Sequence, residues 1–280
     1  IYKVLPPMYI HDTTVTDDGG HWAWSAMTLP MIEQQPRFDA LNVGNIKARV
    51  TITTNPELFQ ESIEAHVCPS SPQPKIHDPA VDPGYCIDTT AGTNTGLAVS
   101  NYIVVGNIAN PRMRKATNMT VGTTGTIGIF WRGIQGEPTA GLRDILDGTS
   151  STLMIGERYH TRAGGIRSSA ATMLVVRDNL GVGPTAQDNT SVSWNQGVMT
   201  ISGTVRYPIN NVILPSEVGS SDKKATFSSL HPGGAQFAAA DGAVRFVSDT
   251  IELSNDGAWS VNSVLEALVG IQDGVPATIP

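Results

Sequence analysis

Phe227-Ser-Ser-Leu-His231-Pro-Gly-Gly-Ala-Gln-Phe237-Ala-Ala-Ala-Asp241-Gly242-Ala-Val-Arg-Phe246-Val-Ser-Asp249 is the stretch whose reading decides the architecture. Asp241-Gly242 lies between two strand-like segments, 235–240 and 243–248. Asp-Gly in that setting predicts a two-residue hairpin turn, because both turn positions need positive φ. The resulting register sets Phe237 opposite Phe246. One face then carries Phe237, Ala239, Val244 and Phe246, and the other Gln236, Ala238, Arg245 and Val247. A cross-strand aromatic pair adds about 0.2–1 kcal/mol relative to alanine. The alanines beside the turn imply that another element packs closely over it. The first strand spans roughly 17 Å at ~3.4 Å per residue. His231, beyond its far end, therefore cannot meet Asp241 at the turn. His231 is expected to bond locally near Asp249 and Thr250 and fix the start of the strand, rather than to act in catalysis.

Working outward, the pattern predicts further strands at 97–105, 127–131, 152–157 and 173–177. In the third of these, Leu153 and Ile155 face one way and Met154 the other. Trp22, Ala26, Leu29 and Glu33 fall at helical spacing, with Pro30 able to open a second short helix over 30–35. Asn55-Pro56-Glu57 opens a helix with Leu58, Ile63 and Ala65 on its apolar side, ending before Cys68. Leu142–Leu146 reads as one helical turn closed by Asp147-Gly148. Residues 259–269 form an amphipathic helix stopped by Gly270. Residues 179–226, rich in Ser, Thr, Asn and Gly, read as an insertion laid on the surface. No internal repeat or linker interrupts the chain. The reading is one α+β domain over 1–280, with an antiparallel sheet, long irregular insertions and a C-terminal helix.

The formal net charge of −7, with no basic cluster beyond Arg112–Lys115, argues against nucleic acid as a partner. No apolar run is long enough to span a membrane. The chain starts at Ile1 without an initiator Met, as a mature or trimmed chain would. Cys68 and Cys86 both sit in Pro/Gly-rich, loop-like sequence. A disulfide between them would be worth about 3 kcal/mol in loop entropy and would suit an oxidising compartment; two unpaired thiols are the alternative.

Chemistry-bearing patterns are sparse. The six histidines show no chelating spacing, so neither a metal nor a cofactor is expected. Asp78, Asp82 and Asp88 offer carboxylates for calcium but not at EF-hand spacing. Asp144, Asp147 and Glu157 cluster around a strand, where glycosidase-type carboxylates and ordinary salt bridges are both conceivable. No nucleophile elbow, P-loop or dinucleotide fingerprint is present. Asn118 and Asn189 fit the glycosylation pattern, which by itself carries little weight. Trp22, Trp24, Trp131, Trp194 and Trp259 would favour a glycan surface if exposed and a packed core if buried. No residue is assigned to catalysis. Structural roles fall to Cys68, Cys86, Asp147, Gly148, Glu157, His231, Phe237, Asp241, Gly242 and Phe246.

Several ordered motifs carry a resemblance. These are Leu5-Pro6-Pro7, Trp24 through Leu29-Pro-Met-Ile-Glu-Gln-Gln35, Val67-Cys-Pro-Ser70, Ser100-Asn101-Tyr102, Ile145-Leu-Asp-Gly-Thr-Ser-Ser-Thr-Leu-Met-Ile-Gly-Glu157, and His231 followed nine residues later by Asp241-Gly242. Together they resemble the DUF1559 proteins, prepilin-like proteins with an "H-x9-DG" motif, abundant in planctomycetes and related bacteria. Ser71 stands where that family usually has Asp, and Ser151 where it has Asn. The resemblance implies a pilin- or pseudopilin-like head, normally preceded by a long hydrophobic helix that is missing from this chain. It supplies no catalytic residues. The expected function is a non-enzymatic, exported structural protein at the cell surface or in the periplasm, forming homo-oligomers or filaments or docking pilin-like partner subunits. A carbohydrate-binding or carbohydrate-cleaving surface protein and a minor pseudopilin of a secretion machine are the alternatives.

Overall fold

The computed structural model describes residues 4–10, 20–90, 93–108, 128–133, 139–161, 170–176, 197–212, 221–254 and 260–279. Its centre is a five-stranded sheet of β1 (Tyr102–Asn107), β2 (Leu153–Glu157), β3 (Ser202–Thr204), β4 (Gly234–Ala239) and β5 (Val244–Ser248), in the order β3-β1-β2-β4-β5. β3 runs parallel to β1, and every other neighbour is antiparallel. β1 is apolar on both faces, Tyr-Ile-Val-Val, because both faces are covered there. One face packs Ile103, Leu153, Phe227, Phe237 and Val247 against Leu265 and Leu268 of the C-terminal segment. The other packs Val104 against Met8, Trp24, Trp131 and Ile201. A third cluster joins Trp22, Leu29, Leu41, Ile52, Phe59 and Leu97 around the short helices α1 (Trp24–Met27), α2 (Gln35–Leu41) and α3 (Ala48–Thr54). The result is a mixed α+β fold whose irregular segments are tied down by buried side chains.

The hairpin forms with a register one residue away from the expected one. Ala238 pairs with Val244, Phe237 with Arg245 and Gln236 with Phe246. Gly242 N donates to Ala239 O at 3.0 Å and Ala239 N to Ala243 O at 2.9 Å. The loop is therefore three residues, Ala240-Asp241-Gly242. Gly242 alone takes positive φ, +86°, while Asp241 keeps negative φ and accepts the Ala243 N–H at 2.9 Å. This is the three-residue alternative to the two-residue turn, and a slip of one residue exchanges the faces. Phe237 is 1% exposed and Phe246 41% exposed, so the expected Phe237–Phe246 pair does not exist. Phe237 packs instead on Phe227, with ring centroids 4.9 Å apart.

A second irregularity corrects β2. Ala238 pairs with Ile155 but Ala239 with Leu153, so the strand bulges between them. Leu153 consequently enters one core while Ile155 packs against the other.

The predicted helices are shorter than their periodicity implied. The one expected after Asn55 is two 3-10 turns, Pro56–Phe59 and Glu64–His66. The first helix stops at Met27, and a 3-10 turn, Leu29–Ile32, follows. The C-terminal helix is a single turn, α4 (Val264–Ala267); Trp259 lies outside the described residues. Within 179–226, the described part is not a surface excursion: Val198, Met199 and Ile201 are buried and β3 joins the central sheet. Among the described residues no helix is long and apolar enough to cross a membrane.

Candidate functional site

The outward face of β1, β2, β4 and β5 is only partly covered. A groove of about 510 Å³ opens there, floored by Tyr102, Ile155 and Ala238 and walled by Cys68, Pro69 and His231. Glu157, at the end of β2, faces it. The β2–β4 ladder stops at Gly156–Phe237, and Glu157 Oε2 accepts the next N–H of β4, from Gln236, at 2.7 Å. The carboxylate thus continues the ladder in place of a strand carbonyl. Its other oxygen lies 3.4 Å from His231 Nε2; the Glu157 side chain is 4% exposed and that of His231 34%.

His231 is held by its own loop. Its N–H donates to Ser229 Oγ at 3.0 Å, and the Ser229 hydroxyl donates to Gly234 O at 2.7 Å. Cys68 completes the cluster, with Sγ 3.8 Å from His231 Nε2 and 3.1 Å from Ser70 Oγ. Asn101 fixes the cysteine loop. Its side-chain oxygen accepts the Cys68 N–H at 2.8 Å, and its amide donates to Arg158 O at 3.1 Å and Gln73 Oε1 at 2.7 Å. Burial raises the Tyr102 phenol above its ordinary pKa, and the neighbouring Cys68 and Glu157 push the same way.

The Val67–Ser70, Ser100–Tyr102, Ile145–Glu157 and His231–Gly242 motifs therefore meet at one place. A family model described as a protein of unknown function (DUF1559) matches residues 1–254. The chain belongs to the DUF1559 family. No curated protein and no solved structure matches it.

The DUF1559 chain brings together residues that sequence reasoning kept apart. His231 was expected beside Asp249 and Thr250, and its side chain turns to Glu157 instead. Cys68 was read as half of a staple, with an unpaired thiol as the alternative, and Glu157 as a carboxylate for glycosidase-type work or an ordinary salt bridge. The signal was present in the motifs themselves, but their separation along the chain hid the contact.

The disulfide is overturned. Cys68 and Cys86 are both buried, and neither is in a disulfide. The Cys86 thiol donates to Asp82 O at 3.3 Å while Cys68 engages Ser70, so the two sulfurs serve different neighbourhoods.

Asp147 accepts the N–H groups of Asp273 and Gly274 at 2.8 and 3.1 Å, and Asp144 accepts that of Gly141 at 2.8 Å. These carboxylates tie the 271–274 segment and a helical turn in place. Gly148, at φ +100°, supplies the left-handed step after Asp147. Asp78 Oδ1 accepts the Ala80 N–H at 2.9 Å. Trp22, Trp24 and Trp131 are buried, and Trp194 and the 109–127 and 177–196 stretches, with Asn118 and Asn189, lie outside the described residues.

Chemically, a thiol, an imidazole and a carboxylate whose donor atoms lie within 4.8 Å of one another suit either nucleophilic catalysis or a soft divalent metal. In a nucleophile-activating imidazole, one nitrogen takes the proton and an acceptor holds the other. Here thiol and carboxylate approach the same nitrogen, Nε2.

His66, two residues before Cys68, is buried against Trp24, with ring centroids 5.7 Å apart. Burial first, and the Arg37 charge second, lower its pKa from 6.5 to about 4. The folded value lies below the unfolded one, so its contribution is present above pH 6.5 and lost as pH falls toward 4. Urea midpoints should drop between these pH values by the equivalent of roughly 3 kcal/mol from this residue. His66→Phe should flatten the profile in that window. An unchanged profile in the variant would remove His66 as the cause.

Proposed function

We propose that this DUF1559 chain is a non-enzymatic, exported structural protein whose head associates with further copies of itself through the open edge of the central sheet. The observation that carries this is β5. Among the described residues it pairs with β4 alone, and it presents Val244, 67% exposed, and Phe246, 41% exposed, beside the apolar groove. An edge strand offers a row of unpaired N–H and C=O groups, and natural proteins usually blunt such edges with charges, prolines or covers. In β5 a single Arg245 is the only charge among Val-Arg-Phe-Val-Ser. Strand addition at that edge, with Phe246 and Val244 packing on a different surface of the next copy, does not close on itself and so builds filaments or lattices, whereas β5 on β5 would close as a dimer.

The non-enzymatic reading is supported by the shared Nε2, which leaves the His231 imidazole unable to relay a proton between Glu157 and Cys68. Among the described residues, Trp22, Trp24 and Trp131 are buried and offer a glycan no aromatic platform. Export and surface display rest on the family resemblance, because the unbridged thiols withdraw the disulfide argument.

Sedimentation velocity over a concentration series tests the reading. The native chain should associate as concentration rises, and a Val244→Lys/Phe246→Lys chain with unchanged circular dichroism should stay monomeric. A native chain that is monomeric throughout, or a double variant that associates equally, contradicts it.

A further inference from the structure

A second cluster, none of whose residues lines the groove, has no use in the reading above. His77, Asp82 and His160 are almost wholly buried, their side chains 0%, 5% and 2% exposed. Each is placed by backbone that packing has already fixed. His77 N–H donates to Leu97 O at 2.9 Å, and its carbonyl lies so close to Gly96 that any side chain there would collide with it. Asp82 sits on a tight turn, its N–H donating to Asp78 O at 2.7 Å and its carbonyl accepting from Tyr85 N at 2.9 Å. His160 follows the end of β2.

Both imidazoles are aimed at the same carboxylate oxygen. His77 Nδ1 lies 3.9 Å from Asp82 Oδ2, and His160 Nε2 lies 3.7 Å from it. The three donor atoms lie within 4.8 Å of one another. Both nitrogens are buried without a hydrogen-bond partner. The other nitrogen of each ring is engaged: His77 Nε2 is 2.9 Å from Ala171 O, and His160 Nδ1 is 2.8 Å from Thr161 Oγ1.

A carbonyl can only accept, so His77 Nε2 carries the proton and the neutral ring turns a lone pair toward Asp82. The 3.7 and 3.9 Å separations exceed hydrogen-bond length. They are near the ~3.4 Å between two donors that share a tetrahedral zinc at about 2.1 Å. A ligating histidine that donates its far N–H to a backbone carbonyl is the usual outer support of such a centre. With His160 Nδ1 donating to Thr161 Oγ1, His160 Nε2 turns a second lone pair toward the same oxygen, and a metal ion between the three donors would satisfy both rings.

We infer that His77 Nδ1, His160 Nε2 and Asp82 Oδ2 bind one zinc-class divalent metal ion. The enclosure makes the centre structural: it ties the 77–82 turn, which lies between Cys68 and Cys86 in the chain, to the residues that follow β2. The Cys68–Glu157–His231 cluster is the weaker candidate, since the His231 side chain is 34% exposed while both histidines here are almost wholly enclosed. The Lys224 charge lies in the field of Asp82 and opposes a metal there.

The test is metal content and cobalt spectroscopy. The chain, refolded from chelator-treated denaturant with zinc and dialysed, should retain one zinc per chain by elemental analysis. Cobalt in its place should give the visible d–d bands of a low-coordinate site without a thiolate-to-cobalt charge-transfer band. Asp82→Asn and His160→Gln should each weaken zinc about 100-fold or more, at least the upper range for loss of an outer support. Lys224→Met should tighten it, and Cys68→Ser/His231→Ala should leave the stoichiometry at one. No retained metal in the native chain, or a cobalt centre with a thiolate band that Cys68→Ser abolishes, overturns the assignment. The native-chain spectrum decides the matter even if a ligand variant fails to fold.

Discussion

Replacing Arg158 by methionine is expected to cost at least about 4 kcal/mol of folding stability, a large share of the roughly 5–15 kcal/mol of an ordinary domain. Arg158 is fully buried. Its guanidinium donates to Thr226 O at 3.0 Å, Met199 O at 2.5 Å, and Ser202 O and Ala225 O at 3.0 and 2.6 Å. Its own backbone donates to Asn101 O at 2.7 Å, and its carbonyl accepts from the Asn101 side chain at 3.1 Å. One side chain therefore joins the end of β2 to the residues before β3 and to those after 224. Methionine keeps much of the aliphatic stem and takes a donor from four buried carbonyls; Ala225 O keeps the Thr204 N–H at 3.0 Å, and each carbonyl left with no other donor costs about 1–3 kcal/mol, not fully additive. Urea unfolding followed by circular dichroism measures it. A loss below about 1 kcal/mol would mean that those carbonyls find other donors and that Arg158 does not bind the layers together.

Gly156→Val comes next, with an expected loss of about 3 kcal/mol or more and a smaller one for Gly156→Ala. Gly156 is flanked in the sheet by Ile103 and Phe237. A Cβ at this position would meet the Phe227 ring at 2.6 Å and the Phe237 ring closer still. The two rings, 4.9 Å apart, occupy the space a side chain would need, so glycine is required here for close approach rather than for an unusual φ. The melting temperature should fall in the order glycine, alanine, valine. Phe227→Leu combined with Gly156→Ala should cost less than the sum of the two single changes, because the smaller side chain relieves the clash. Strict additivity would show that the rings yield without strain.

The hairpin shows how far the sequence could be read. Asp241-Gly242 announced a reversal between two strands, and the strands are there. The dipeptide alone does not choose between a two-residue and a three-residue loop. That choice was made by the Asp241 carboxylate on Ala243 N–H and by the fit of Phe237 onto Phe227. One residue of slip then decided which phenylalanine is buried. Strands of β-branched residues such as Tyr102–Asn107 were legible, because burial on both faces demands that composition. The helices were overread: Trp22, Leu58 and Leu265 have helical spacing, yet Trp22 lies on a two-residue strand, Leu58 in a 3-10 turn and Leu265 in a one-turn helix, and they serve two separate cores. The two side-chain clusters were the least legible part. Cys68 and His231 are 163 residues apart, and His77, Asp82 and His160 have no chelating spacing. Tertiary packing alone brings them together.

The central claim is that the head works by association with its own kind. Negative-stain electron microscopy of the protein taken from its native cells, with its solution mass, tests this most directly. Ordered filaments, tubes or lattices whose subunit contact runs along β5 are the expected result. A monodisperse monomer at high concentration, with no ordered assembly in the cell-derived material, would contradict it.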